Sequence, residues 1–510
     1  MKHDQDTTAD GVKTTLSQVA GWAQALTLLH ARIAPRFARP EPRRRALGYL
    51  QGVLSEIERK NGWQLAEHAR EATPYGMQRL LSQSVWDVDL VRDDLRDYVY
   101  QYLGGLGAIL VIDETSFPKR GEKSAGVQAQ YCGTTGLVEN CQVAVFLDYV
   151  SALGHAFIDR ELYLPKSWID DQQRCREAGI PQTVRFQPKY ELARRMLERV
   201  HRAQIPIAWV VADTVYGNNL DLRTWLEAHG YPYVLAVACD ETVGIRTADG
   251  GRKQVQVREV EALLLKAEDW HRLSMSEGTK GPRLFDWARV LLLHQWEDDA
   301  RHWLLIRRCI SDPKHKTSYL VWAPPATTLE AMVKAIGARW HIEEDFETSK
   351  DMGLADYEVR CFIGWYRHMT LVMLAHAFLA VICSQNRNVT EADASPLSPV
   401  ASIPLAIPAS QAFLCLPVLN TLALPAPCAL SASPLPFPAL PSCLPVPKTL
   451  PSPPALNPAP LTIPEVRHLL GHLIWPLSCQ AKLVLAWSSW RRWHRSMASY
   501  YHTKRRLDAG

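Results

Sequence analysis

The sequence predicts an α/β core set between a helical N-terminal region and a helical C-terminal segment, with a β-rich insertion inside the core. Three observations carry that reading. Two short, apolar, β-branched runs, residues 108–112 and 207–212, each stop at an aspartate, Asp113 and Asp213; such runs read as buried strands with acids at their carboxyl ends. Segments of helical period follow them, and strands alternating with helices make an α/β core. Residues 395–464 then break the pattern, holding nineteen prolines and a single charged residue, Lys448.

Taken in order, residues 13–103 carry helical periodicity, with Leu47, Leu50, Val53, Leu54 and Ile57 at helical spacing. Within 62–81 the pattern reads helix, short break, helix, with Thr73 expected as the N-cap and Pro74 as the first helical residue. A DNA-reading helix-turn-helix fits this, and so does the commoner helical hairpin. Strands are expected over 142–149 and 156–164 about a turn at 151–154, and again over 233–237; helices over 191–202 and 218–229. Between 240 and 325 the chain becomes strand-like around 290–294 and 303–308, with Trp270, Trp287, Trp296, Trp303 and Trp322, and reads as a β-rich insert. A helix is expected over 329–348, and further helices through Gln385. Proline at the density of 395–464 blocks a packed helix or central strand, so that stretch reads as an extended or disordered linker before helical sequence returns at Pro464.

The division expected is therefore a helical N-terminal region over 1–105, the first part of the core over 106–239, the insertion over 240–327, the helical remainder of the core over 328–388, a Pro/Ala/Leu-rich linker over 389–463 and a basic C-terminal helix over 464–510. Over 510 residues the net charge is only +4, which does not by itself imply nucleic acid. Its distribution says more: Arg36, Arg39, Arg43, Arg44 and Arg45 gather near the start, and Arg491, Arg492, Arg495, Lys504, Arg505 and Arg506 at the close. Such clusters suit a polyanion or a solvated face. The eleven cysteines include no C-x-x-C pair, which argues against a zinc ribbon or a thioredoxin-type site. Residues 1–10 are polar, without the apolar stretch of a signal peptide, and the apolar run 371–383 is short and interrupted by His376. A reducing, cytoplasmic setting is expected.

Sites in open α/β sheets form at the carboxyl ends of strands, where Asp113 and Asp213 both fall. Acids converging there repel, and a divalent cation relieves the repulsion. Either aspartate could instead end a strand or cap a helix, as Asp213 could for the helix from Asn218. Arg339 and Glu343 stand four apart, and Lys350 seven further on, which places all three on about one helical face. One acid for a metal and two cations for phosphate is what phosphoryl transfer needs; a solvated face with an i,i+4 ion pair has the same spacing. His468 and His472 lack the glutamate of a zinc protease and read as a buried or solvent pair. Trp487, Trp490 and Trp493 beside Arg491 and Arg492 read as a core stripe or a stacking platform.

Asp113 after one strand, Asp213 after another, a β-rich insert and then R-W-x-I-E with a lysine seven residues on together resemble the DDE core of bacterial insertion-sequence transposases, whose signature runs Y-x2-R-x3-E-x6-K. The strings Ile112-Asp113-Glu114-Thr115-Ser116-Phe117-Pro118-Lys119, Leu164-Pro165-Lys166-Ser167-Trp168, Ala212-Asp213-Thr214-Val215-Tyr216-Gly217 and Gly364-Trp365-Tyr366-Arg367-His368 are similar to the insertion sequence 701 family, a group of DDE superfamily endonucleases. The resemblance covers residues 45–385 and resumes over 460–506. It implies an RNase H-like catalytic core and a cut-and-paste transposase that cleaves transposon ends and transfers them into target DNA. It implies that Asp113, Asp213 and Glu343 are the catalytic acids and hold two Mg2+ ions, with Mn2+ able to substitute. Arg339 and Lys350 then contact DNA phosphates, and the spacing selects Glu343 over Glu344. The implied partners are double-stranded DNA, as terminal inverted repeats and target, and a second copy of the chain in a synaptic complex, with no membrane, in a bacterial cytoplasm at the nucleoid. The chain departs from the pattern at Ile336, where the family has tyrosine, leaving Tyr357 as another source of that hydroxyl, and over 395–464, which lies beyond the pattern. A DDE nuclease that cuts without joining, and a catalytically decayed DNA-binding copy, are the alternatives.

Overall fold

In the computed structural model, which describes residues 15–247, 249–278, 281–294, 299–392 and 461–475, five helices come first. Helix α1 (Leu16–Ile33) opens with a capping box between Thr15 and Gln18, and buries Val19, Trp22, Leu26, Leu29 and Ile33 as one stripe. Helix α2 (Pro40–Leu54) starts on proline, and α3 (Gly62–His68) is capped by the Asn61 side chain. Helix α4 (Tyr75–Ser82) buries Met77, Leu80 and Leu81, and α5 (Val88–Leu103) is capped by Asp87. The cap expected at Thr73 is not used. Pro74 is itself the N-cap, already turned to φ −73° and ψ −12°, and the helix begins at Tyr75.

The core begins with β1 (Ile109–Pro118), then β2 (Gln128–Cys132), β3 (Leu137–Ser151) and β4 (Gly154–Leu162). Helices α6 (Lys166–Ile169), α7 (Gln172–Glu177) and α8 (Lys189–Arg202) lead to β5 (Trp209–Ala212). Helices α9 (Thr214–Gly217) and α10 (Leu220–Ala228) lead on to β6 (Tyr233–Val237). β3 lies antiparallel to β1, and at fifteen residues it is long enough for β2 and β4 to share its other edge. β5 and β6 run parallel to β1. The path β4-β3-β1-β5-β6, an antiparallel meander continued by two parallel strands, fits an RNase H-like core.

One expectation is corrected here. Asp113 does not end its strand: β1 continues to Pro118, paired with β3 throughout. Asp113 ends only the parallel pairing, which stops at Ile112 and Ala212. The stretch 240–327 holds strands and a helix. It contains a small sheet of β7 (Thr242–Arg246) and β8 (Arg252–Gln256) and the helix α11 (Val257–Leu264). Its remaining strands, β9 (His271–Gly278), β10 (Gly281–Leu291), β11 (His302–Arg308) and β12 (Lys316–Trp322), extend the main sheet, because β12 pairs antiparallel with the free edge of β6.

The single helix expected over 329–348 is two, α12 (Leu329–Gly337) and α13 (Arg339–Asp351). A side chain at Gly337 would put its Cβ 1.9 Å from the Met275 carbonyl oxygen on β9, so the strand backbone crowds the helix where it breaks. Helix α14 (Phe362–Ala392) is long and apolar enough over 362–387 to cross a membrane, yet 94% of its apolar window is buried, as in a core helix. Arg367 donates from it to the Leu81 and Trp86 carbonyls, and His368 Nδ1 lies 2.6 Å from the Tyr49 hydroxyl, which ties the helical region to the core. Helix α15 (Ile463–Leu473) returns to pack against α1 and α2, with Val466 and Leu470 fully buried. Residues 393–460, which hold most of the proline-rich stretch, and 476–510, which hold the tryptophan triplet and the C-terminal basic cluster, lie outside the described residues.

Candidate active site

Past Ile112 the β5-facing edge of β1 is unpaired, and Asp113 is the first residue beyond the pairing. Across from it β5 ends, and Asp213 turns the chain into α9. Its carboxylate accepts from the Val215 N–H at 2.9 Å, so Asp213 is also a helix cap, for α9 rather than for a helix from Asn218; α10 is capped by Asn219. The turn is tight. A Cβ on Gly217 would stand 1.9 Å from the Ala236 carbonyl oxygen on β6, so only glycine lets α9 lie this close to the sheet.

Helix α13 brings the third group. Arg339 donates from Nη2 to Asp113 Oδ2 at 2.8 Å and from Nη1 to Glu343 Oε1 at 3.5 Å. One guanidinium thus links Asp113 to Glu343, and Asp213 is close enough to add to its charge balance. Burial works against the Arg339 charge, but Asp113, Asp213 and Glu343 outweigh it and hold its pKa above the ordinary value. Glu344 faces elsewhere: it accepts from Trp340 Nε1 at 3.1 Å and lies 3.0 Å from His341 Nδ1. On this helix, then, Glu343 turns to Arg339 while Glu344 turns to Trp340 and His341.

Burial pushes the Asp113 carboxyl up to about 7; Arg339 pulls it down, while the Asp213 and Glu114 carboxylates push it further up. Burial and Glu114 also raise Asp213. Crowded carboxylates that resist ionising together, offering oxygen donors alone, fit a hard divalent cation such as Mg2+. The sequence alone did not single out Glu114. It is held by Lys189 Nζ at 2.6 Å and by the Tyr216 hydroxyl at 2.7 Å, and its place directly after Asp113 was the available signal.

Lys350 sits apart from this group, its Nζ donating to Thr134 Oγ1 at 3.1 Å beside the β2–β3 turn. Tyr357 does not replace the tyrosine missing at Ile336, because its hydroxyl donates to Gln142 at 2.7 Å under the Lys119 ammonium. The tyrosines that feel the site are Tyr216, near Asp113 and Asp213, and Tyr319 on β12, near Arg339.

Residues 32–282 match the model of the DDE superfamily endonucleases, and residues 188–378 that of the transposase DDE domain. This chain belongs to the DDE transposases. It is 24% identical over 318 residues, 62% of its own length and 76% of the relative's, to a "Probable transposase for insertion sequence element IS701" of Microchaete diplosiphon. Among solved structures it is similar to the piggyBac transposase in a synaptic complex with hairpin DNA, at 11% identity, a TM-score of 0.38 and 74% coverage of each chain. In this insertion-sequence transposase the two matched models overlap over 188–282, the stretch that contains β5, Asp213 and β6.

Proposed function

We propose that the chain is a cut-and-paste DNA transposase whose catalytic acids are Asp113, Asp213 and Glu343. The observation that carries this is the meeting of three chain regions at one point: Asp113 beyond the β1–β5 pairing, Asp213 at the end of β5, and α13 delivering Glu343 through Arg339. The three carboxylates would hold two Mg2+ ions, with Mn2+ as substitute. Such ions, when bound, activate water and stabilise the leaving 3'-oxygen. The residues then divide the remaining work. Glu114, fixed by Lys189 and Tyr216, adds negative charge beside the acids and favours cation binding. Arg339 would exchange its carboxylate contacts for a DNA phosphate, and Lys350 would grip a second phosphate from the far end of α13. The freed 3'-hydroxyl would attack target DNA, with two copies of the chain joining both transposon ends, in the bacterial cytoplasm at the nucleoid.

The test uses the purified full-length chain, Mg2+ and duplexes carrying the inverted repeats that flank its gene. Cleavage at the repeat boundary followed by joining to a target plasmid is the expected result. Cleavage without joining would make it a nuclease, and binding without cleavage a decayed copy.

A further inference from the structure

Behind the acids, on the other side of α13, lies a polar cluster that the proposed chemistry does not use. Asp148 on β3 and His376 on α14 are completely buried, and Asp345 on α13 nearly so. Asp345 Oδ1 lies 2.7 Å from His155 Nδ1 on β4 and 3.3 Å from His376 Nε2. Neither oxygen of Asp148 has a hydrogen-bond partner, nor does Asp345 Oδ2, nor either nitrogen of His376. Ligating atoms of Asp148, His155 and Asp345 all lie within 4.8 Å of one another. The two imidazoles serve Asp345 Oδ1 alone; Asp148, a carboxylate buried with no donor to either oxygen, costs several kcal/mol unless a cation or a shared proton compensates it.

We propose that Asp148, His155, Asp345 and His376 form a binding site for one transition-metal dication, with Zn2+ the ion that the donor set favours. Two imidazoles and two carboxylates are zinc donors, whereas Mg2+ takes oxygen. In a tetrahedron with bonds of about 2.0–2.1 Å, neighbouring donors stand roughly 3.3 Å apart; Asp345 Oδ1 stands 3.3 Å from His376 and 2.7 Å from His155, so binding would widen the second contact and draw His376 in as the fourth donor beside the Asp148, His155 and Asp345 group. The bound ion satisfies the orphaned oxygens of Asp148 and turns the His376 ring from a buried polar liability into a ligand. It also pins α13 to β3, β4 and α14 two residues after Glu343, so its role is to hold the helix that carries the third acid. His155, partly exposed and stacked on His341 at 4.4 Å, opens the route to solvent.

The test is elemental analysis of tag-free, full-length protein loaded with Zn2+ and desalted. About one ion per chain is expected to remain, and to remain in Asp113→Asn/Asp213→Asn/Glu343→Gln, which removes the acids of the candidate active site. It should persist too in His468→Ala/His472→Ala and in His294→Ala, because Glu56 with His468 and His472, and Glu227 with His294 and His302, are other possible ligand groups. Co2+ in place of zinc should give visible d–d absorption. In Asp148→Asn/His376→Gln both the ion and the absorption should vanish. Zinc retained in full by that variant, when folded, overturns the site. Should the variant not fold, the parent protein decides: no retained zinc and no Co2+ absorption means the cluster is a carboxyl pair sharing a proton, and the proposal fails.

Discussion

Arg339 is the residue on which the site turns, since it touches Asp113 on the sheet and Glu343 one helical turn along its own helix. Glu343→Gln keeps the size of the side chain and removes its charge. Transposon-end DNA should still bind, and cleavage should fall by roughly 10²–10³-fold, the scale for losing one electrostatic stabiliser. A gel-shift and a cleavage assay on the same preparation separate the two effects. If Glu344→Gln abolishes cleavage and Glu343→Gln does not, the wrong acid has been assigned. Arg339→Ala should weaken DNA binding as well as cleavage, because it would remove the proposed phosphate contact as well as the link between Asp113 and Glu343. Lost cleavage with unaltered DNA affinity would limit Arg339 to positioning Glu343.

At the scale of elements, much of what made the sequence recognisable is architecture. In the Gly364–His368 string, the Tyr366 hydroxyl donates to Glu161 at 2.8 Å and the next two residues tie α14 to the N-terminal helices. Trp168 is buried under Arg174, its Nε1 donating to the Val127 carbonyl at 2.7 Å. These strings hold elements in place and touch none of the acids. The Ala212–Gly217 string does both, since Asp213 belongs to the site and Gly217 lets α9 approach β6. Gly217→Val should cost about 1–3 kcal/mol, the usual range for overpacking, read as a lowered midpoint in urea. Because α9 must shift to admit the side chain, Asp213 shifts too, and cleavage should fall further than DNA binding. A variant with parental stability and full cleavage would show that the 1.9 Å approach is not required.

Across the whole molecule, helices far apart in the sequence pack together. α15 docks on α1 and α2 through Val466 and Leu470, and Arg467 donates to the Ser55 and Asp351 carbonyls. Leu470→Ala should therefore lose about 2–5 kcal/mol if α15 unfolds with the rest, which a single shared thermal transition would establish. Residues 395–460 should behave in the opposite way. Their proline density and the lone charge of Lys448 argue, from the sequence, against a packed helix and against a grip on DNA. Replacing them with a Gly/Ser chain of equal length should leave the melting temperature within a few degrees and cleavage near the parental rate. A large loss of melting temperature would mean that the stretch packs on the protein, and the linker reading would fall.

What the sequence determined by itself was whatever local pattern encodes. The apolar runs before Asp113 and Asp213 announced buried strands, the 233–237 run became β6 to the residue, and the spacing of Arg339 and Glu343 held them on one helical face. Period and burial are properties of neighbours along the chain, so they are legible there. Tertiary structure alone decided which edge each strand would find. Nothing local says that β12 would complete β6, or that β1 would outrun β5 and leave Asp113 on an open edge. Only packing broke the 329–348 helix, where the β9 backbone presses on Gly337, and only packing set Arg339 against Asp113. Asp148, His155, Asp345 and His376 come from four elements spread over more than two hundred residues, and no spacing rule joins them. Such contacts depend on the summed packing of the whole sheet and its helices, which a short window of sequence does not contain.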